Sequence, residues 1–125
     1  MTDKLEYSRA HALIPGGAHT YSKGDDQFPA NAPRHLERGE GAYVWDDKNK
    51  RYLDWTMGLR TMTLGYGYGN VNDAAIEQIL KGNNFGRPSR LESDAAQDIV
   101  DLIPVAEMVK FAKNGSTVTS AAVKM

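Results

Sequence analysis

The chain has 125 residues, 41% hydrophobic and 25% charged, with a formal net charge of -1 and its basic residues scattered, a balance that suits a globular domain and excludes a disordered tail or a polybasic nucleic-acid surface. It contains no cysteine, which removes disulfide frameworks, thiolate metal sites and thiol nucleophiles together. The opening "MTDKLEYSRAHALIPGG" lacks the apolar core of a secretory signal, and no apolar stretch reaches bilayer-spanning length, so a cytoplasmic location is expected.

Leu5, Tyr7, Ala12 and Leu13 recur at loosely helical spacing and predict a short leading helix over residues 3–14, broken by Pro15-Gly16-Gly17. From Gly16 to Gly41 the chain turns polar and broken, longer than the ~12–15 residues a compact domain usually leaves irregular. Tyr21, Phe28 and two prolines within it favour a segment that wraps something. "AYVWDDKNKRYLDW" reads as a hairpin turning at Asp47, Lys48 and Asn49, with Asn49 suited to a left-handed position. "GLRTMTLGYGYGN" reads as a strand running into a glycine-rich loop, after which Asn70 would cap a helix carrying Val71, Ala74, Ala75, Ile76, Ile79 and Leu80. Gly82 would end that helix. A second amphipathic helix is predicted from about Arg90 to Ile103, burying Leu91, Ala95, Ile99, Val100 and Ile103 and stopped by Pro104. Met108 to Ala112 then reads as a buried strand, Asn114 to Thr117 as a small polar turn, and the remainder as the start of a helix.

Strand, polar turn and helix start together make an anion cradle. Gly115 admits close backbone approach, the first N–H groups of a helix have no intrahelical partner, and the hydroxyls of Ser116 and Thr117 add donors for a phosphate. The simpler possibility is that Ser116 or Thr117 is only a helix cap. "GYGYG" at Gly65, Gly67 and Gly69 misses the dinucleotide fingerprint by one residue and lacks the acidic ribose partner, so it implies a close backbone approach and little more. Arg60 would sit mid-strand between Leu59 and Met62, either pointing outward or acting as a bidentate carboxylate clamp. His11, His19 and His35 have no metal-like spacing, no serine, histidine and aspartate arrangement suggests a hydrolase, and Asp46, Asp47 and Asp54 read as turn and surface groups.

Taken in order, "IPGG" from Ile14, "GAYVWDDKNKRYLDW" from Gly41, "TLGYGYGNV" from Thr63, "FGRPSRLE" from Phe85, "IPVAEMVKFAKNGS" from Ile103 and the final "TSAAVKM" resemble the N-terminal part of the class III aminotransferases, nearest to their glutamate-1-semialdehyde aminomutase branch. The resemblance implies an α/β chain with the aspartate-aminotransferase-like fold of type I, stopping at the start of the large domain. Residues 1–85 would form the N-terminal arm, hairpin and linking helix, and residues 86–125 would begin the cofactor domain. It further implies pyridoxal 5'-phosphate as cofactor, a small amino or carbonyl compound as substrate, a homodimer, and neither a nucleic-acid nor a membrane partner. Asn114, Gly115, Ser116 and Thr117 become the first phosphate-binding element, although Thr117 and Val118 stand where the family has an acidic residue and an alanine. The aminomutases' substrate-contacting serine and arginine fall on Thr20 and Lys23, and their strand aromatic falls on Leu59, next to Arg60. Lys23 is a point charge where a bidentate fork is usual, so a different amino donor or acceptor, sugar-like or acidic, stands open beside glutamate-1-semialdehyde.

The family's chemistry also needs a lysine that bonds to the cofactor and a carboxylate on its ring nitrogen, and by the resemblance both lie beyond Met125. Lys110, Lys113 and Lys124 match neither position, so no catalytic residue and no metal ligand is expected here. A parallel strand at 108–112 needs neighbours on both edges. The expectation is therefore the leading piece of a longer enzyme, inactive by itself. The competing expectation is a non-catalytic, degenerate relative that binds a phosphate ligand or serves as a dimerisation module. A nicotinamide-dependent oxidoreductase ranks behind both.

Overall fold

The computed structural model describes the backbone of residues 3–125 and the side chains of residues 5–125. Two compact units divide the chain, Met1–Glu77 and Gln78–Met125.

The first unit begins with α1, Asp3–Leu13. Three short 3-10 turns follow at Pro15–Gly17, Tyr21–Lys23 and Asp25–Gln27. This segment does wrap, but not through the aromatics expected to carry it: Tyr21 and Phe28 are exposed. The ties come from α1. The Tyr7 hydroxyl donates to Asp25 Oδ2 at 2.6 Å, His11 Nε2 lies 3.3 Å from the same oxygen, and the Arg34 guanidinium sits 4.1 Å above the Tyr7 ring. The hydrogen bond from Tyr7, with help from His11, holds the Asp25 carboxyl below the usual carboxylate range, and the same bond raises the Tyr7 hydroxyl.

Three strands form an antiparallel sheet in the order β1 (Leu36–Glu40), β2 (Tyr43–Asp46), β3 (Arg51–Leu53). The β2–β3 hairpin is where the alternation and turn residues placed it, with Asn49 at φ 59°. Asp46 builds its turn. Its Oδ1 accepts from the backbone N–H of Lys48 at 3.0 Å and of Lys50 at 2.8 Å, and its Oδ2 accepts from the Tyr52 hydroxyl at 2.8 Å. Burial pushes its carboxyl up, but these bonds outweigh burial and bring it below the usual range. Val44, beside it on β2, is the buried apolar side chain of this sheet. On the opposite face cations lie over rings, Arg38 on Trp45 at 3.6 Å and Arg51 on Tyr43 at 4.6 Å, each worth about 0.5–1 kcal/mol at such exposed sites.

The β1 strand, sequence "LERGE", carried no alternating apolar signal and exists because β2 pairs with it, through a bulge between Leu36 and Arg38. Gly39 within it leaves room for Tyr66, whose ring carbons would lie 2.5 and 2.7 Å from any Cβ at that position.

The helix α2 spans Gly69–Lys81. Asn70 lies inside it and is not its cap: the helix starts one residue earlier, and the Tyr68 carbonyl receives the Asn72 N–H at 3.1 Å. Gly82 ends it at φ 100°, as its position suggested. In the second unit α3 spans Arg90–Leu102 and opens with a reciprocal capping box between Ser89 and Glu92. The last helix, α4, spans Gly115–Lys124. Residues 108–112 form no strand, and Met108 and Phe111 are exposed. A strand is made by its ladder, and no described residue pairs with this segment.

Candidate functional site

Arg60 lies in a left-handed turn and not in a strand. Met57, Gly58, Leu59 and Arg60 all have positive φ, at 49°, 55°, 61° and 70°. For an L-residue that conformation costs about 1–2 kcal/mol each, and only one of the four is glycine. The turn is closed by the Arg60 N–H donating to the Thr56 carbonyl at 3.0 Å and the Met62 N–H donating to Met57 at 2.9 Å. Trp55, Thr56, Met57, Leu59 and Arg60 line a shallow concavity of about 520 Å³. The exposed Arg60 guanidinium makes no ion pair among the described residues. Leu59 and Arg60 thus stand together at an open hollow, which a flat strand would not have produced.

Asp54 is what the turn hangs from. Its Oδ1 accepts from the Thr56 N–H at 2.8 Å and the Thr56 hydroxyl at 2.6 Å, and its Oδ2 accepts from the Tyr66 hydroxyl at 2.7 Å. Partial burial pushes its carboxyl up, but these donors and the Met57 N–H together hold it below the usual carboxylate range. Burial and the Asp54 carboxylate raise the Tyr66 hydroxyl, against a smaller opposing effect of the Gly58 N–H. Reading Asp54 as a surface group missed this role. The local signal was Asp-x-Thr, the spacing at which an aspartate accepts from the N–H two residues on.

The glycine-rich loop is also explained. Gly41 and Tyr66 exchange two backbone hydrogen bonds of 2.9 and 2.8 Å, and the Cβ position of Gly65 lies 3.0 Å from the Gly41 backbone. What approaches Gly65 closely is the chain's own hairpin.

Thr20 and Lys23 bracket the exposed 3-10 turn Tyr21–Lys23, where the Lys23 N–H donates to the Thr20 carbonyl at 2.9 Å and the Thr20 hydroxyl makes no capping bond. They lie in the same unit as Arg60, but neither lines its hollow. A second hollow of about 580 Å³, between Tyr7, Arg34, Asp46, Lys48 and Tyr52, contains none of the residues expected to bind substrate.

In the second unit, the N-terminus of α4 is capped by Asn114, not by Ser116 or Thr117. Asn114 Oδ1 accepts from the Thr117 N–H at 2.9 Å and from the Thr117 hydroxyl at 3.0 Å. That leaves the N–H groups of Gly115 and Ser116, and the exposed Ser116 hydroxyl, without partners among the described residues. The space over Gly115 is clear to 4 Å. Two backbone donors and one hydroxyl at the positive end of a helix are a donor set that suits a phosphate dianion. Among the described residues no three His, Asp or Glu side chains are placed to hold a metal ion, and no helix is long and apolar enough to cross a membrane.

Residues 22–125 match the family model for class-III aminotransferases. Over 122 residues the chain is 32% identical to glutamate-1-semialdehyde 2,1-aminomutase of Chloroflexus aggregans, a match that covers 98% of this chain and 28% of that protein. Among solved structures, the internal aldimine form, with pyridoxal phosphate, of the FumI protein of Sphingopyxis sp. MTA144 superposes with a TM-score of 0.89 at 31% identity, covering 96% of this chain and 29% of that one. A β-phenylalanine aminotransferase of Variovorax paradoxus superposes with a TM-score of 0.86 at 25% identity, covering 98% and 27%. The chain therefore has the fold of a region of these transaminases and spans under a third of their length.

Proposed function

The chain belongs to the class III aminotransferases, and on that premise we propose that the protein moves an amino group between an amine and a carbonyl compound, or within one small molecule, with pyridoxal phosphate as cofactor. The observation that carries the reading is the family match over residues 22–125. In this reading residues 1–85 are arm, hairpin and linking helix, and residues 86–125 begin the cofactor-binding domain of a cytoplasmic homodimer.

The phosphate would be held at the α4 N-terminus by the N–H groups of Gly115 and Ser116 and the Ser116 hydroxyl, while Asn114 keeps the Thr117 N–H occupied and so fixes the first turn. Bound there, the cofactor supplies the electron sink for the bond broken beside the transferred nitrogen. Arg60 offers two parallel donors to a substrate carboxylate, with Leu59 as the apolar wall beside it. Thr20 and Lys23 contribute a hydroxyl and a cation from the 3-10 turn. In this reading the lysine that bonds to the cofactor is none of Lys110, Lys113 and Lys124.

Titrating the full-length protein with pyridoxal phosphate tests this. Visible absorbance should develop and persist through dialysis, and Ser116→Ala should weaken cofactor affinity about tenfold, the loss of one hydrogen bond to a charged group. A protein that retains no cofactor, or a Ser116→Ala variant indistinguishable from wild type, overturns the reading.

A further inference from the structure

A run of four left-handed residues, three of them not glycine, persists only where its surroundings over-determine it. Here the surroundings are two side chains. Asp54 takes both donors of Thr56, at 2.8 and 2.6 Å. The Tyr66 hydroxyl donates its proton to Asp54 at 2.7 Å, and its oxygen lies 3.4 Å from the Cβ position of Gly58. The entry to the turn at Thr56 and the packing over Gly58 are therefore both set by one hydrogen-bonded pair. That pair is in turn fastened to the sheet, through the Gly41–Tyr66 bridge and the fit of the Tyr66 ring over Gly39. Displacing Asp54 or Tyr66 moves the turn, and with it Leu59 and Arg60 at the lip of the hollow.

We propose that Asp54, working through the Tyr66 hydroxyl and the left-handed turn, is a positioning residue that sets where the Arg60 guanidinium meets a substrate carboxylate. The inference rests on the reading of Arg60 as a substrate contact. It gives the strain a use: a turn with a single well-defined geometry presents Arg60 with little freedom left to lose on binding.

The test uses the full-length holoenzyme with L-glutamate as amino donor. Arg60→Ala should raise KM about tenfold with kcat changed less than about twofold, the pattern of a lost uniform binding contact. Tyr66→Phe, which keeps the ring over Gly39 and removes only the hydroxyl, should raise KM about threefold, and Asp54→Asn more, with cofactor absorbance unchanged. In the Arg60→Ala background both effects should vanish, because the two sites act as one unit. An Arg60→Ala enzyme with unaltered KM, or a holoenzyme that takes no carboxylate donor, defeats the substrate reading and this inference with it. An Arg60 effect with no Tyr66 or Asp54 effect, or with effects that simply multiply, defeats this inference alone and leaves the substrate reading standing. Should Asp54→Asn fail to fold, Tyr66→Phe decides by itself.

Discussion

The hairpin with its glycine loop and the helices of the second unit differ in where their hydrogen bonds come from. In the first, partners are far apart in sequence: Gly41 with Tyr66, Asp54 with Tyr66, Leu36 with Asp46. In the second, the bonds that shape the helix ends are local: Ser89 with Leu91 and Glu92, Asn114 with Thr117, Gln78 with Gly82. Long-range partners can hold a segment in a conformation its own residues disfavour, as at Met57 to Arg60. Local caps stabilise only what the residues already prefer. The strain at Met57 to Arg60 therefore lies in the first region, whereas the α4 start at Asn114 is a helix end capped by its own neighbours.

The comparison breaks most severely at Gly39. Any Cβ there meets the Tyr66 ring at 2.5 Å, so Gly39→Val should destabilise the full-length protein by about 1–3 kcal/mol in urea unfolding, the usual range for overpacking. A smaller loss would mean that the loop shifts freely on the hairpin. A cap in the second region should cost less. Ser89→Ala removes one local acceptor and should lower stability by about 1 kcal/mol, read as helix signal lost at lower urea. The smallest effect is a pH dependence. Because the folded Asp54 carboxyl lies below its unfolded value of about 3.9, it contributes stability that is fully present above that value and is lost as pH falls through the folded one. Asp54→Asn should therefore flatten the acid side of the stability curve below about pH 4, and an unchanged acid limb would detach Asp54 from the turn's stability.

What could be read from the residues follows the same division. The β2–β3 hairpin, α2, α3 and the α4 start were legible because alternation, helical spacing and turn or stop residues are local signals, with Asn49 and Gly82 at the predicted places. The helix ends shifted where the capping group is a matter of geometry: Asn114 takes the cap expected of Ser116 or Thr117, and α2 begins before Asn70. The β1 strand was invisible because a charged edge strand owes its form to its neighbour. The stretch from Gly58 read as a strand running into a glycine-rich loop, and although Asp-x-Thr marks a turn at Asp54, nothing local announces that Tyr66 joins it in holding residues 57–60 left-handed. The 108–112 strand failed for the converse reason: apolar alternation is present, but a ladder partner is not among the described residues. Arg60 stood out as an oddly placed charge, though it lies in a left-handed turn and not mid-strand, whereas Asp54, which holds that turn, passed for an ordinary surface acid.

The stacking of Arg38 on Trp45 has a spectroscopic consequence. The chain holds two tryptophans: one roofed by a guanidinium at 3.6 Å, the other, Trp55, 83% exposed at the edge of the Arg60 hollow. Their fluorescence should separate by access, with acrylamide reaching the bare Trp55 more readily than the roofed Trp45. The molecule thus carries a built-in optical gauge, one channel calibrated on the sheet and the other watching the mouth through which a substrate would enter.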